Sequence, residues 1–172
     1  MNTAETYLFF VVRDRILALP LASVRRVHQA VATTPLPDAP QTVLGVVNVH
    51  GRMIALVDPG VHLGFDPSPI RTSQAFLEIQ AEYGPVLVLA DTVLDVDFLQ
   101  SENVIAAEDL IPGYHDVVSV SSFRDITVFV SDPDSFLTED ERAAVADAII
   151  ESPFEASRSE EIEDRDDMSD SL

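Results

Sequence analysis

Four histidines, His28, His50, His62 and His115, are the side chains of this sequence best suited to acid–base or metal chemistry. No cysteine accompanies them. None has the i, i+4 or H-x-H spacing that sets two imidazoles on one face of a helix or strand. They read as surface or turn residues, and no metal site is expected. Asp58 and Asp132 are the carboxylates placed at special positions. Each precedes a proline just after an apolar run, where Asp serves as a helix N-cap and Pro occupies the first helical position without losing a needed donor. Ser119, Ser121 and Ser122 follow His115 and Asp116, the residue types of a hydrolytic triad. A strand of serines beside a histidine lacks the strained elbow that exposes a nucleophile. With no lysine in the chain, a phosphate-cradling loop of the G-x-x-x-x-G-K-S/T type is excluded. The residues therefore offer no catalytic centre and no cofactor site, and the reading is a protein that is not an enzyme.

The elements that would position these residues are short and mostly extended. Val43–Val49 and Met53–Val57 are runs of Val, Ile and Leu interrupted at His50-Gly51, which reads as a buried hairpin. Gly51 can take the positive φ that a tight hairpin turn requires. Asp58-Pro59 then opens a one-turn helix, which Gly64 is placed to end. Tyr7–Val12 and Ile16–Leu19 form an earlier pair of strands around Arg13-Asp14-Arg15. Their apolar character on both faces implies strands covered on both sides or lining a barrel. Leu21–Val24 reads as a single helical turn and Arg25–Val31 as extended chain. Thr34–Pro40 holds three prolines and makes a stiff connection.

Ala75–Gln80 and Val86–Ala90 form a hairpin around Glu82-Tyr83-Gly84, and Thr92–Leu99 is a strand with one wet face. Asn103–Pro112 reads as irregular. Val117–Val120 and Ile126–Val130 make the last hairpin, around Phe123-Arg124-Asp125. Asp132-Pro133 repeats the Asp58-Pro59 device after a strand, which hints at two similar lobes. Thr138 with Glu141 is a capping box, opening a helix to about Ile150 with Ala144, Val145, Ala148 and Ile149 on one stripe. Nine or ten short strands with few helices argue for an all-β body of barrels or a sandwich.

Charge narrows the range of partners. The chain of 172 residues carries 30 acidic and 10 basic residues, all of the latter Arg, for a net charge of −20. Such a surface repels nucleic acid and anionic lipid. Residues 152–172 account for −6 of that charge, so the body 1–151 is itself acidic. The polar composition of 152–172 is that of a chain which stays unfolded. No apolar run spans a bilayer, and the start of the sequence has no signal-peptide pattern. A soluble cytoplasmic protein is expected.

The central hairpin, with Gly45, Val46, Asn48, Gly51, Ile54, Val57 and Asp58, resembles that of the CheW-type chemotaxis coupling proteins. The resemblance runs from about Tyr7 to about Ile150, including the spacing of Phe9–Leu21, Val24 and Val27. His50 stands where that family usually has Arg, Ala55 where it has Pro, and Pro59-Gly60 where it has Leu-Arg. The resemblance implies two packed five-stranded SH3-like barrels with short helices and a C-terminal helix: a CheW-like domain over 1–151, followed by an acidic tail over 152–172. It implies a non-catalytic adaptor between chemoreceptor signalling tips and the regulatory domain of a CheA-type histidine kinase, at the inner face of the membrane. Carried over by position, a receptor-facing groove would include Val27, Val49, His50, Gly51 and Arg52. As members of apolar strands, Val27 and Val49 would by themselves be assigned to the core. The alternative within the fold is a modulator that binds only kinase or only receptor. A small hydrolase or ligand-binding protein is the reading from another class, and it lacks a convergent polar cluster.

Overall fold

The computed structural model describes residues 5–99, 105–106 and 117–150. Eleven strands are present among these: β1 (Glu5–Val12), β2 (Arg15–Pro20), β3 (Val24–Gln29), β4 (Val43–Val49), β5 (Arg52–Val57), β6 (Ala75–Ala81), β7 (Gly84–Ala90), β8 (Thr92–Leu99), β9 (Ile105–Ala106), β10 (Val117–Phe123) and β11 (Ile126–Ser131). The helices are α1 (Pro59–His62) and α2 (Glu139–Ile150), with 3-10 turns at Leu21–Ser23 and Pro133–Ser135. The stretch read as irregular, Asn103–Pro112, contributes β9, which pairs with β10, and otherwise lies outside the described residues. So does the acidic tail.

Two mixed sheets build two lobes. The first has the order β8-β1-β2-β11-β10-β9 and the second β3-β6-β7-β5-β4. These are the two five-stranded lobes implied by the resemblance, the first extended by the two-residue β9. The first sheet has four antiparallel pairs and the second three, and each has one internal parallel pair: β11 with β2, and β5 with β7. The second lobe is an insertion between β2 and β8 of the first. Under this shared pairing pattern β5 corresponds to β11, so Asp58 and Asp132 fall at equivalent places. The hint of duplication in the two Asp-Pro sequences thus has a counterpart in topology.

Both-face apolar strands are explained by three clusters. Leu8, Phe10 and Val12 of β1 point to a core shared with Val57, Leu77 and Val88 of the second lobe. The alternate residue Phe9 points inside its own lobe with Ala18, Val128 and Val130. On the far side of the second sheet, Leu56, Phe76, Leu87 and Leu89 form that lobe's own interior. Each sheet therefore buries one face in its lobe and the other between the lobes, as a period-two chain requires.

Polar groups join the lobes at the end of this shared core. Asp58, fully buried, caps α1 by accepting from the Gly60 N–H at 2.9 Å. Its other oxygen lies 2.8 Å from the Arg13 guanidinium, which arrives from the β1–β2 turn. A Cβ at Gly60 would lie 2.9 Å from that carboxylate and 3.2 Å from Arg13 Cζ, so a side chain there would push against the pair. Asp91, between β7 and β8, accepts from the Arg13 backbone N–H and from Gln74 Nε2, the latter at 2.7 Å. At the other capped terminus Asp132 accepts from the Asp134 N–H at 2.8 Å. Phe136 and Leu137 then turn inward as plugs of the shared core. Gly64, at φ +88, ends α1 as its sequence position suggests.

The capping box of α2 does more than cap. Glu141 accepts from the Thr138 N–H at 2.9 Å, and the Thr138 hydroxyl accepts from the Glu141 N–H at 3.2 Å. The same carboxylate accepts from the Thr42 hydroxyl at 2.7 Å and lies 3.4 Å from His62 Nε2. Burial works to raise the Glu141 pKa, but the hydrogen bonds from Thr42 and Thr138, with His62 nearby, hold it below the usual value. One side chain ties α2 to α1 and to the β3–β4 connection.

Arg13→Met leaves Asp58 buried without its cation and should cost about 3 kcal/mol in urea unfolding. Arg15→Met, at an exposed pair, should cost under about 1 kcal/mol; equal costs would contradict the junction. A carboxylate with a depressed folded-state pKa contributes stability above its unfolded pKa and loses it as pH falls through the folded value. Glu141→Gln should therefore flatten the acid limb of the stability profile below about pH 4.3. It should also destabilise near neutrality by about 1 kcal/mol through the weakened cap. An unchanged acid limb would refute the role given to Glu141.

Candidate functional site

The β4–β5 turn has positive φ at both central residues, 51° at His50 and 86° at Gly51. That is the primed turn geometry that matches the twist of a two-residue hairpin. Asn48 Oδ1 accepts from the Gly51 N–H at 2.8 Å and fixes the turn. The need for Gly51 was legible in sequence, whereas the same demand on His50 was not. Histidine is among the few side chains enriched at such φ values.

From this turn His50 reaches across the mouth of the second lobe to β3. Its Nε2 lies 3.2 Å from Arg26 Nη1, and since guanidinium can only donate, that nitrogen must be the acceptor. Further down, Thr34 and Val46 exchange both backbone hydrogen bonds at 2.9 Å. The sheet thus curls until its two edges, β3 with its continuation and β4, come together as a barrel. Gly45 permits this closure. Its φ is +143°, and a Cβ there would stand 2.5 Å from the Thr34 carbonyl oxygen. A glycine within a run of valines is the sequence signal for such a close approach.

The two edges do not close fully. Between them opens a groove of about 570 Å³. Its floor is the buried Phe76 and Leu87, and its walls include Val27, Val31, Val47 and Val49. His28, Gln29, Asn48 and His50 supply a polar rim. His28 Nε2 is held 2.7 Å from Glu78 of β6.

Three of the five residues carried over by position, Val27, Val49 and His50, line this groove. Val27 is 47% exposed, which corrects its assignment to the core: it lies on edge strand β3, whose residues are left largely uncovered. Val49 is half-buried and packs against the interior cluster of its lobe. Gly51 is exposed at the turn, where an added Cβ would meet nothing within 4 Å, so its φ of +86° and not crowding is what calls for glycine. Arg52 faces elsewhere and lines a different groove, against α2. Sequence reasoning missed Val31, His28 and the two floor residues. Phe76 and Leu87 come from strands more than twenty residues downstream, and only sheet closure brings them under β3.

The first lobe repeats the arrangement. Arg124, in the β10–β11 turn, reaches to Asp97 of edge strand β8 at 3.0 Å. Below it the Phe9 and Phe123 rings pack at 4.9 Å. The hollow there is smaller, about 190 Å³. Neither groove brings together the groups of a reactive centre. Asp58 and Asp132 are caps, Ser119 and Ser121 are buried in β10, and His115 and Asp116 lie outside the described residues. Among the described residues, no three His, Asp or Glu side chains are placed to share a metal ion.

Comparison with known proteins accords with this architecture. The family model of the CheW-like domain matches residues 6–141. Over 109 residues the chain is 26% identical to a chemotaxis protein CheW of Rhizobium meliloti, covering 63% of this chain and 70% of that protein. Over 87 residues it is 26% identical to a probable chemotaxis protein CheW of Rhizobium etli, covering 51% and 56% respectively. The crystal structure of the scaffolding protein TtCheW from Thermoanaerobacter tengcongensis superposes with a TM-score of 0.72 at 14% identity, covering 81% of this chain and 96% of that one. The fold, the closed hairpin and the extent of the family match together place the chain in the CheW-like domain family of chemotaxis scaffold proteins.

Proposed function

We propose that this protein is a non-catalytic adaptor that couples chemoreceptor signalling tips to a CheA-type histidine kinase, working in the cytoplasm at receptor arrays on the inner face of the membrane. The observation that carries the reading is the groove between β3 and β4, with an apolar floor, a polar rim and an exposed Val27. Apolar centres ringed by polar groups are how interfaces obtain affinity and exclude water. No helix among the described residues is long and apolar enough to cross a membrane, so a location at the array would come from partners. The receptor side of the site is Val27, Val49 and His50, with Gly51 setting the turn. Arg52 enters this reading by position in the family, on a neighbouring surface. His in place of the usual Arg shortens the reach and number of donors at the rim.

The test is to titrate the protein with a receptor signalling-tip fragment and with the kinase regulatory domain, first separately and then together. A ternary complex is the expected result. Binding to one partner alone would favour a modulator, and binding to neither would overturn the reading. Val27→Glu should weaken the receptor fragment at least about tenfold, equivalent to about 1.4 kcal/mol, with an unchanged circular dichroism spectrum.

A latch is expected at the rim. Arg26 donates to His50 Nε2 across the β3–β4 mouth, so removing the acceptor frees the two edges. His50→Ala should weaken receptor affinity, while His50→Asn, which tolerates positive φ and keeps an acceptor, should retain more of it. Equal affinities of the two variants would contradict the latch.

A further inference from the structure

A second groove, of about 300 Å³, runs between α2 and the β5 side of the second sheet. Its lining is mainly apolar, with Met53, Ala55, Pro85, Val145 and Ile149 among the residues that meet there. Two cations stand in it, Arg52 and Arg142. The Arg142 guanidinium lies 4.6 Å over the ring of Tyr83, which also lines the groove. Among the described residues no carboxylate pairs with either arginine. In a chain of net charge −20 this is an unusual place to leave two cations uncompensated.

The segment that follows supplies the complement. Ile149, in the last turn of α2, already lines the groove. Beyond it the chain continues as Glu151-Ser152-Pro153-Phe154-Glu155, and 152–172 carries a net charge of −6. Pro153 cannot continue a helix and favours a change of direction. At about 3.3 Å per extended residue, Phe154 comes within about 13 Å of Ile150. Arg142 lies eight residues back along α2, about 12 Å at 1.5 Å per residue. A chain reversing at Pro153 therefore brings Phe154 and Glu155 over Val145 and Arg142, and sets Glu160, Glu161 and Glu163 within reach of Arg52.

We infer that the acidic segment 152–172 docks back into the groove between α2 and β5, with Phe154 seated on the apolar lining and its carboxylates paired with Arg52 and Arg142. The contact is intramolecular and does not depend on the coupling reading. Its strength is set by the arginines in a partly desolvated groove, so it weakens with salt.

The chain has no cysteine, so Ser159→Cys in the full-length protein gives a single site for a nitroxide label. The amide signals of Arg52–Ala55 and Tyr83 should lose more than half their intensity at low salt. They should recover at about 1 M salt, where screening acts over about 3 Å. The pair Arg52→Glu and Arg142→Glu should abolish the broadening. If that variant fails to fold, comparing the chain ending at residue 151 with the full chain replaces it. Shifts at β5 and Tyr83 on truncation are then the expected result. No broadening at β5 and Tyr83, or broadening indifferent to salt, would overturn the proposal. Broadening in a mixture of labelled and isotope-enriched molecules would also overturn it, by showing a second copy as the occupant.

Discussion

The buried pair of Arg13 and Asp58 is the interaction on which the rest of the structure depends. Asp58 terminates β5, caps α1 and faces a guanidinium delivered by the other lobe, so one carboxylate serves both local and long-range structure. A buried ion pair is a poor source of net stability but a strict demand on geometry. Arg13 meets it from a turn at φ 56°, and its backbone N–H is held by Asp91. The β1–β2 turn, the end of β5 and the β7–β8 crossing therefore have to arrive together. Only then do Leu8, Phe10 and Val12 of one sheet meet Val57 and Val88 of the other in a common core.

Two lobes of the same pairing pattern have diverged at their mouths. In both, a hairpin turn with positive φ values leans over to an edge strand: His50 to Arg26 in the second lobe, Arg124 to Asp97 in the first. The first lobe narrows its hollow to about 190 Å³ around the tilted rings of Phe9 and Phe123, while the second leaves a groove of about 570 Å³ open over Phe76 and Leu87. A wide apolar groove with a polar rim suits a partner, and a narrower one suits close packing. The asymmetry favours the second lobe for the proposed binding role, while the shared core makes it answerable to the first.

Much of the fold was legible in the sequence because its signals are local. Asp-Pro after a strand, Thr-x-x-Glu before a helix and Gly after an apolar run each act within a few residues, and each appears where the pattern puts it. The two-lobe arrangement was legible by family resemblance, supported by runs apolar on both faces. The groove was legible only in part. His50 and Val49 sit on the conspicuous hairpin, but the floor is supplied by Phe76 and Leu87, which no local pattern separates from other core residues. Val27 looks like any strand valine until its strand is known to be an edge. The Arg13 partnership was hidden for the same reason, since forty-five residues separate it from Asp58 and a charged turn carries no mark of its distant partner.

The proposed coupling role requires the two lobes to behave as one cooperative body that holds the groove open. Native-state hydrogen exchange tests this directly, comparing the central amides of β7 in the second lobe with those of β2 in the first. Exchange through a common global opening, with both sets equally sensitive to denaturant, is the predicted result. If the second lobe opens independently at lower free energy, leaving β2 protected, the lobes are separable units and the junction is not what positions the site.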